Sequence, residues 1–253
     1  MAKRLLILGG TGEAVELVSK IKTSSKLAEL EVMVSLAGRT QQPKQDSNRI
    51  GGFGGVEGLI DYLQTRQVDM LIDATHPFAA QISHHAYLAT SSIRIPYLML
   101  IRPAWVKIDG DLWIEVMSNA AAAETLLELS KNNLAQRIFL TIGRQELSAY
   151  SHLQNQWFLM RMIDPPKENT PQPPGQLLLD RGPFTLSGER SLFQEYHIQA
   201  IVSKNSGGDA TYGKIIAARE LELPVVMVQR PPLPTGEQVN TIAKAIAWLG
   251  KQI

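Results

Sequence analysis

The 253-residue sequence contains no cysteine. Disulfides, thiolate nucleophiles, zinc ribbons and iron–sulfur clusters are thereby excluded. Charge is scarce and balanced, with 19% charged residues and 25 Lys and Arg against 24 Asp and Glu. Such a chain has no whole-molecule field to attract nucleic acid or a membrane surface. Aromatic residues make up 6% and do not interleave with a basic run, so a nucleic-acid stacking surface has no support. Long apolar runs are missing as well. The N-terminal run Leu5 to Leu8 is a strand's length, too short for a signal peptide or a membrane span, and the expected residence is cytoplasmic. Turn chemistry, by contrast, is plentiful, with 19 glycines and 14 prolines. The 44% hydrophobic content suffices for one large domain or two compact ones, each with its own core.

Apolar strands and amphipathic helices alternate along the first hundred residues. Leu5–Leu8, Val32–Leu36, Met70–Ile72 and Pro96–Ile101 read as strands; Glu13–Lys22, Leu59–Arg66 and Phe78–Ala89 read as helices. Strands that are apolar on both faces point to a parallel sheet covered on both sides. After Arg102-Pro103-Ala104-Trp105 and a polar stretch the alternation restarts, which predicts an α/β fold in two domains, 1–105 and 106–253. The five-proline segment Pro165 to Gly175 reads as a surface loop in the second domain.

The first strand-to-helix turn, Gly9-Gly10-Thr11-Gly12-Glu13, places consecutive backbone amides at a helix N-terminus with little side-chain obstruction. Such a turn can receive a diphosphate. It lacks the full dinucleotide fingerprint, because Val15 stands where a third glycine belongs, and a purely structural turn remains open. The second strand runs into Gly38-Arg39-Thr40. An NAD site supplies an acid here, whereas a guanidinium beside a hydroxyl suits a ribose 2′-phosphate, so the pair favours NADP. In Gly51-Gly52-Phe53-Gly54-Gly55, Gly52, Phe53 and Gly54 are candidates for ligand contact; a flexible turn with an aromatic anchor is the alternative.

Asp73-Ala74-Thr75-His76-Pro77 follows a strand at the sheet edge where open α/β folds place ligands. His76 can donate a proton, contact a phosphate, position a nicotinamide or cap the next helix; Thr75 can bond a cofactor, and Asp73 can order the loop. No His or acid spacing suits a metal, and no Gly-x-Ser-x-Gly elbow occurs. In the second half, Arg102, Arg144, Arg161, Arg181, Lys204 and Arg230 stand at or just past strand candidates, a pattern suited to an anionic ligand. Lys204-Asn205-Ser206-Gly207-Gly208 is the sharpest segment there: Lys204 can bind a carboxylate, and Asn205 and Ser206 can orient polar groups. Tyr212 and Lys214 nearby read as a core aromatic and a surface lysine.

An ordered set of motifs across nearly the whole chain resembles the precorrin-6A and cobalt-precorrin-6A reductases of cobalamin biosynthesis. It comprises Gly9-Gly10-Thr11-x-Glu13-Ala14, Gly38-Arg39-Thr40, Gly51 to Gly55, Asp73 to Ala79, Arg102-Pro103-x-Trp105, Thr141-x-Gly143-Arg144-Gln145-Glu146-Leu147, Arg181-Gly182-Pro183-Phe184 and Lys204 to Gly208. The resemblance implies two Rossmann-like domains with an active cleft between them, NADPH as cofactor and reduction of one double bond of an anionic tetrapyrrole, with no metal in the protein. It places the cofactor with Gly9 to Glu13, Arg39, Thr40, Thr75 and His76, and the reading of the residues adds Gly52, Phe53, Gly54 and Asp73 on that side. Chemical inference adds Arg144, Arg181, Lys204, Asn205, Ser206 and Arg230 for the substrate, with His76 and Lys204 as candidates for the chemistry itself. The expected assembly is a monomer or homodimer touching neighbouring pathway enzymes transiently. An NADP-dependent dehydrogenase for another anionic metabolite and a nucleotide-binding regulator remain the alternatives.

Overall fold

The computed structural model describes residues 2–36 and 48–253. In chain order the elements are β1 (Arg4–Leu8), α1 (Gly12–Thr23), β2 (Glu31–Leu36), β3 (Asn48–Ile50), α2 (Gly55–Thr65), β4 (Met70–Asp73), α3 (Ala80–Ile93) and β5 (Tyr97–Leu100). There follow β6 (Trp113–Val116), α4 (Asn119–Lys131), β7 (Arg137–Thr141), β8 (Trp157–Met162), β9 (Gly175–Leu179) and α5 (Leu186–Glu195). The chain ends with β10 (Ala200–Lys204), α6 (Gly213–Glu220), β11 (Val225–Val228), β12 (Gln238–Val239) and α7 (Ile242–Gln252).

Two compact units result: Met1–Pro103 with Pro231–Ile253, and Ala104–Arg230. The first break lies beside the expected one at 105/106. The C-terminal end corrects the expectation that residues 106–253 form one domain, because β12 pairs in parallel with β5 and α7 packs on α1 in the first unit. Its apolar face explains the return. Ala245, Trp248 and Leu249 are buried against Leu5, Ile7, Leu17, Ile21, Leu98 and Leu100, closing a sheet face that α1 alone leaves half covered.

The first sheet is parallel throughout, in the order β3-β2-β1-β4-β5-β12. Leu5 and Ile7 join the core under α1 and α7, while Leu6 and Leu8 join Leu59, Leu63, Ala86 and Ala89 under α2 and α3. This is the doubly wound three-layer arrangement, and its order reverses between β1 and β4. The second sheet, β6-β11-β10-β7-β8-β9, is also parallel and reverses between β7 and β10. Phe139, Leu159 and Ile201 pack with Phe193, Ile215 and Ala218 of α5 and α6.

Local chemistry sets the helix starts. Thr11, Ser118, Thr185 and Thr241 each accept an N–H from three residues on, satisfying donors that a helix leaves open. The expected start of α3 at Phe78 moves to Ala80, because residues 77–79 form a turn in which Ala79 N–H donates to the His76 carbonyl at 2.7 Å. One glycine carries a steric requirement that the sequence reading missed. A Cβ on Gly58 in α2 would lie 1.8 Å from the Phe53 carbonyl oxygen. Gly58→Ala is expected to cost roughly 1–3 kcal/mol by forcing backbone apart, read as a lower urea midpoint.

Candidate functional site

In an open α/β sheet, ligands gather at the carboxyl ends of the strands where the order reverses. In the first unit that point joins two motifs singled out above. Leu8 ends β1 in register with Asp73 of β4, so the glycine turn and the Asp73–His76 turn emerge side by side. Their linkage is direct. Thr11 Oγ1 accepts from Ala14 N–H at 3.2 Å and donates to the Ala74 carbonyl at 2.8 Å, fastening one turn to the other.

The glycines of this turn divide by role. Gly9 is a packing position: a Cβ there would meet Leu36, Ala14 and Val34 at 3.3–3.4 Å, and its N–H donates to the Ser35 carbonyl. Gly10 has φ +115°, a conformation that side chains disfavour, and among the described residues a Cβ on Gly10 or Gly12 would meet nothing within 4 Å. Space is therefore open directly over the N-terminus of the twelve-residue α1, which fits a diphosphate. Glu13 would oppose an anion in this first turn, but Arg102 neutralises it, donating to both carboxylate oxygens at 3.1 and 3.0 Å. Arg102 is thus tied to the glycine turn.

Asp73 is 3% exposed and accepts from the Thr75 N–H at 3.0 Å, the Thr75 hydroxyl at 2.7 Å and the Tyr97 hydroxyl at 3.3 Å. It orders the loop, as the sequence allowed. Burial and then the Asp73 carboxylate push the Tyr97 phenol far above its ordinary range, so it stays a donor. His76 Nδ1 accepts the Phe78 N–H at 3.2 Å, which fixes the tautomer with the proton on Nε2. In the 51–55 cluster, Gly54 caps α2, and Phe53 packs on the first-unit core with its ring 5.2 Å from Tyr62. Gly52 precedes Phe53 in the segment between β3 and α2. Arg39 and Thr40 lie outside the described residues.

The second unit repeats the arrangement. Ser203 of β10 is in register with Thr141 of β7, so Lys204 and the Ile142-Gly143-Arg144 turn flank the reversal of that sheet. Lys204 Nζ donates to Glu146 Oε1 at 2.7 Å, a partner the sequence reading had left without a role. Arg144 donates to the Pro165 carbonyl at 3.1 Å, tying its turn to the start of the proline-rich segment. Asn205 is 4% exposed and turned away from ligand duty: its Oδ1 accepts from Trp105 N–H at 2.8 Å and its Nδ2 donates to the Trp105 carbonyl at 3.1 Å. Arg230 donates to the carbonyls of Asn205 and Ser206, both at 2.9 Å. Arg181 is exposed beside the Gly182–Pro183 cis peptide, its N–H donating to Asp180.

Two cations depart from the expected pattern. Arg161 does not join a ligand surface; it is 8% exposed within β8, paired with Glu189 at 2.7 and 3.2 Å and set against the Phe139 and Phe184 rings. A charge inside an otherwise apolar strand, Trp157 to Met162, is the sequence mark of such a pair. Lys214, read as a surface lysine, is 4% exposed, donates to the Thr211 carbonyl at 2.9 Å and lies 4.9 Å from the Trp105 ring. Desolvation and then Arg161 push its pKa down to about 7 against the pull of Glu189. Among the described residues no group of three or more His, Asp or Glu could hold a metal ion, and no helix is long and apolar enough to cross a membrane.

Fold and site together define a doubly wound α/β protein with a nucleotide-type turn at one sheet reversal and cations at the other. The chain belongs to the precorrin-6x reductase family CbiJ/CobK, whose family model matches residues 4–250. It is 46% identical over 250 residues to the precorrin-6A reductase of Rhodococcus erythropolis, covering 98% of this chain and 97% of that one. Against the cobalt-precorrin-6A reductase of Priestia megaterium the identity is 27%, covering 98% of each chain. A solved structure titled CobK precorrin-6A reductase superposes with a TM-score of 0.89 at 38% identity, covering 99% of this chain and 97% of that one.

Proposed function

We propose that this protein is a precorrin-6A reductase of cobalamin biosynthesis that uses NADPH to reduce one double bond of the metal-free macrocycle. The observation that carries the cofactor half is the open space over Gly10 and Gly12 at the β1/β4 reversal, above the amino end of α1. The contrast between 46% identity to a precorrin-6A reductase and 27% to a cobalt-precorrin-6A reductase supports the metal-free substrate.

Bound NADPH supplies a hydride from nicotinamide C4. The residues of the chain do the holding. Backbone amides from Gly10 to Gly12 receive the diphosphate, Arg102 quenches the opposing charge of Glu13, and Arg39 with Thr40 holds the 2′-phosphate. Thr11 fastens the two turns to each other, Asp73 and Tyr97 order the second of them, and His76 keeps a proton on Nε2 for donation at this edge. Lys204, oriented by Glu146, and Arg144 meet carboxylates of the macrocycle, with exposed Arg181 as a further cation; Arg230 and the Asn205–Ser206 backbone shape the loop. Reduction next to a conjugated C=N also consumes a proton, which water or a ring N–H can furnish as well as a side chain.

The test is a reaction of the purified protein with precorrin-6A and NADPH: loss of the reduced-nicotinamide absorbance with a two-hydrogen gain in macrocycle mass. Cofactor bleaching without that gain would refute the proposal. Arg39→Ala is expected to lower kcat/KM with NADPH about 10–100-fold, the worth of a charge-assisted phosphate contact, and to leave NADH turnover nearly unchanged. Equal proportional losses would remove Arg39 from the 2′-phosphate.

A further inference from the structure

The Lys204–Gly208 loop is held from two directions by residues at the two ends of its own unit. Trp105 is the second residue of Ala104–Arg230 and Arg230 is the last. Trp105 exchanges two backbone hydrogen bonds with the Asn205 amide, and its indole Nε1 donates to the Gly208 carbonyl at 2.8 Å. Arg230 takes the next two carbonyls, donating from Nε to Asn205 and from Nη2 to Ser206. Beneath the indole, the Tyr212 ring centroid lies 5.6 Å away and Lys214 Nζ 4.9 Å away, so the Trp105 ring is itself seated.

Two consequences follow for an anion arriving at Lys204. Three carbonyl oxygens of the loop, at 205, 206 and 208, are already bonded to donors, which blunts their repulsion of a carboxylate. The loop also contains two successive glycines at positive φ, 69° and 76°, a backbone with wide freedom that needs outside restraint to hold one conformation. A flexible loop would lose that freedom on binding and weaken it accordingly.

We propose that Trp105 and Arg230 are positioning residues for the macrocycle: by clamping the backbone of Lys204–Gly208 they hold the Lys204 ammonium in place for a substrate carboxylate. The proposal rests on the reading that this loop meets the macrocycle. Neither residue need touch the substrate.

The experiment compares K204A, W105F, R230K and R230M for the KM of each substrate, for precorrin-6A affinity without NADPH by fluorescence titration, and for hydrogen exchange of peptides spanning 204–208. W105F keeps an aromatic ring and the backbone bonds but removes the indole donor together with part of the ring surface. R230K keeps the charge but not the rigid guanidinium fork whose Nε and Nη2 span the two carbonyls. Both are expected to weaken precorrin-6A binding about tenfold, the worth of one well-made hydrogen bond, to speed exchange across 204–208, and to leave the NADPH KM within about twofold. R230K should then resemble R230M. If R230K restores full affinity while R230M does not, Arg230 acts by charge on the ligand and the clamp is overturned. Unchanged exchange and affinity in W105F would overturn it as well, even if an Arg230 variant fails to fold. If K204A itself leaves precorrin-6A affinity intact, the reading of the loop as substrate-facing falls; if K204A weakens binding and W105F and R230K do not, only the positioning roles fall.

Discussion

Replacing Glu189 by Gln should destabilise the protein by about 3–5 kcal/mol, the usual cost of stranding one partner of a buried ion pair. The Glu189 side chain is 1% exposed and that of Arg161 is 7% exposed, and the guanidinium is sandwiched against Phe184 at 3.6 Å and Phe139 at 4.7 Å. A guanidinium cannot shed its proton to escape an apolar setting, so loss of the carboxylate leaves a full charge facing two rings. Lys214 then loses the neighbour that favours its charged form. The effect should appear in urea unfolding at pH 7 as a lower midpoint with an unchanged slope. The paired replacement Arg161→Met with Glu189→Leu should recover most of the loss, because it removes both charges together. A single-variant loss below about 1 kcal/mol, the scale of an exposed pair, would show that water reaches this site.

That pair also marks where sequence reading runs out. Parallel strands buried on both faces announce themselves as apolar runs, and the apolar stretches of β1, β2 and β4 were legible for that reason. The three-residue β3 and two-residue β12 carry no periodicity, and only pairing reveals them. The membership of α7 in the first unit was not legible, since chain order does not say which sheet face is left uncovered.

In the site, the turns were visible because glycine and proline chemistry is local. The division of labour inside them was not. Thr11, Thr75 and Asn205 have the donors and acceptors of ligand contacts, yet Thr11 and Asn205 bond to the protein's own backbone and Thr75 to Asp73. Partners 28 or 58 residues away, as in Arg161–Glu189 and Lys204–Glu146, depend on topology that composition does not carry. The family resemblance singled out these loops; in the structure several residues in them hold others in place.

Lys214 gives the second large effect, and its sign follows from linkage. In the unfolded chain this lysine keeps its proton up to about pH 10.5; in the folded protein desolvation lowers that to about 7. Between those values the unfolded state binds more protons, so this group makes the protein more stable as pH rises. The penalty is fully present well below pH 7 and fades toward pH 10.5, at up to about 1.4 kcal/mol per pH unit, or roughly 2 kcal/mol from pH 7 to pH 9. Lys214→Met fills similar space without a titrating group. It also leaves the Thr211 carbonyl without this donor, a cost that does not vary with pH. The stability of the variant relative to wild type should therefore be most favourable near pH 7 and decline by that amount at pH 9, measured by urea unfolding of both proteins in matched buffers. Parallel pH profiles would show that Lys214 stays charged in the folded state, held by Glu189 across from it, and that the core of the second unit tolerates two cations against one carboxylate.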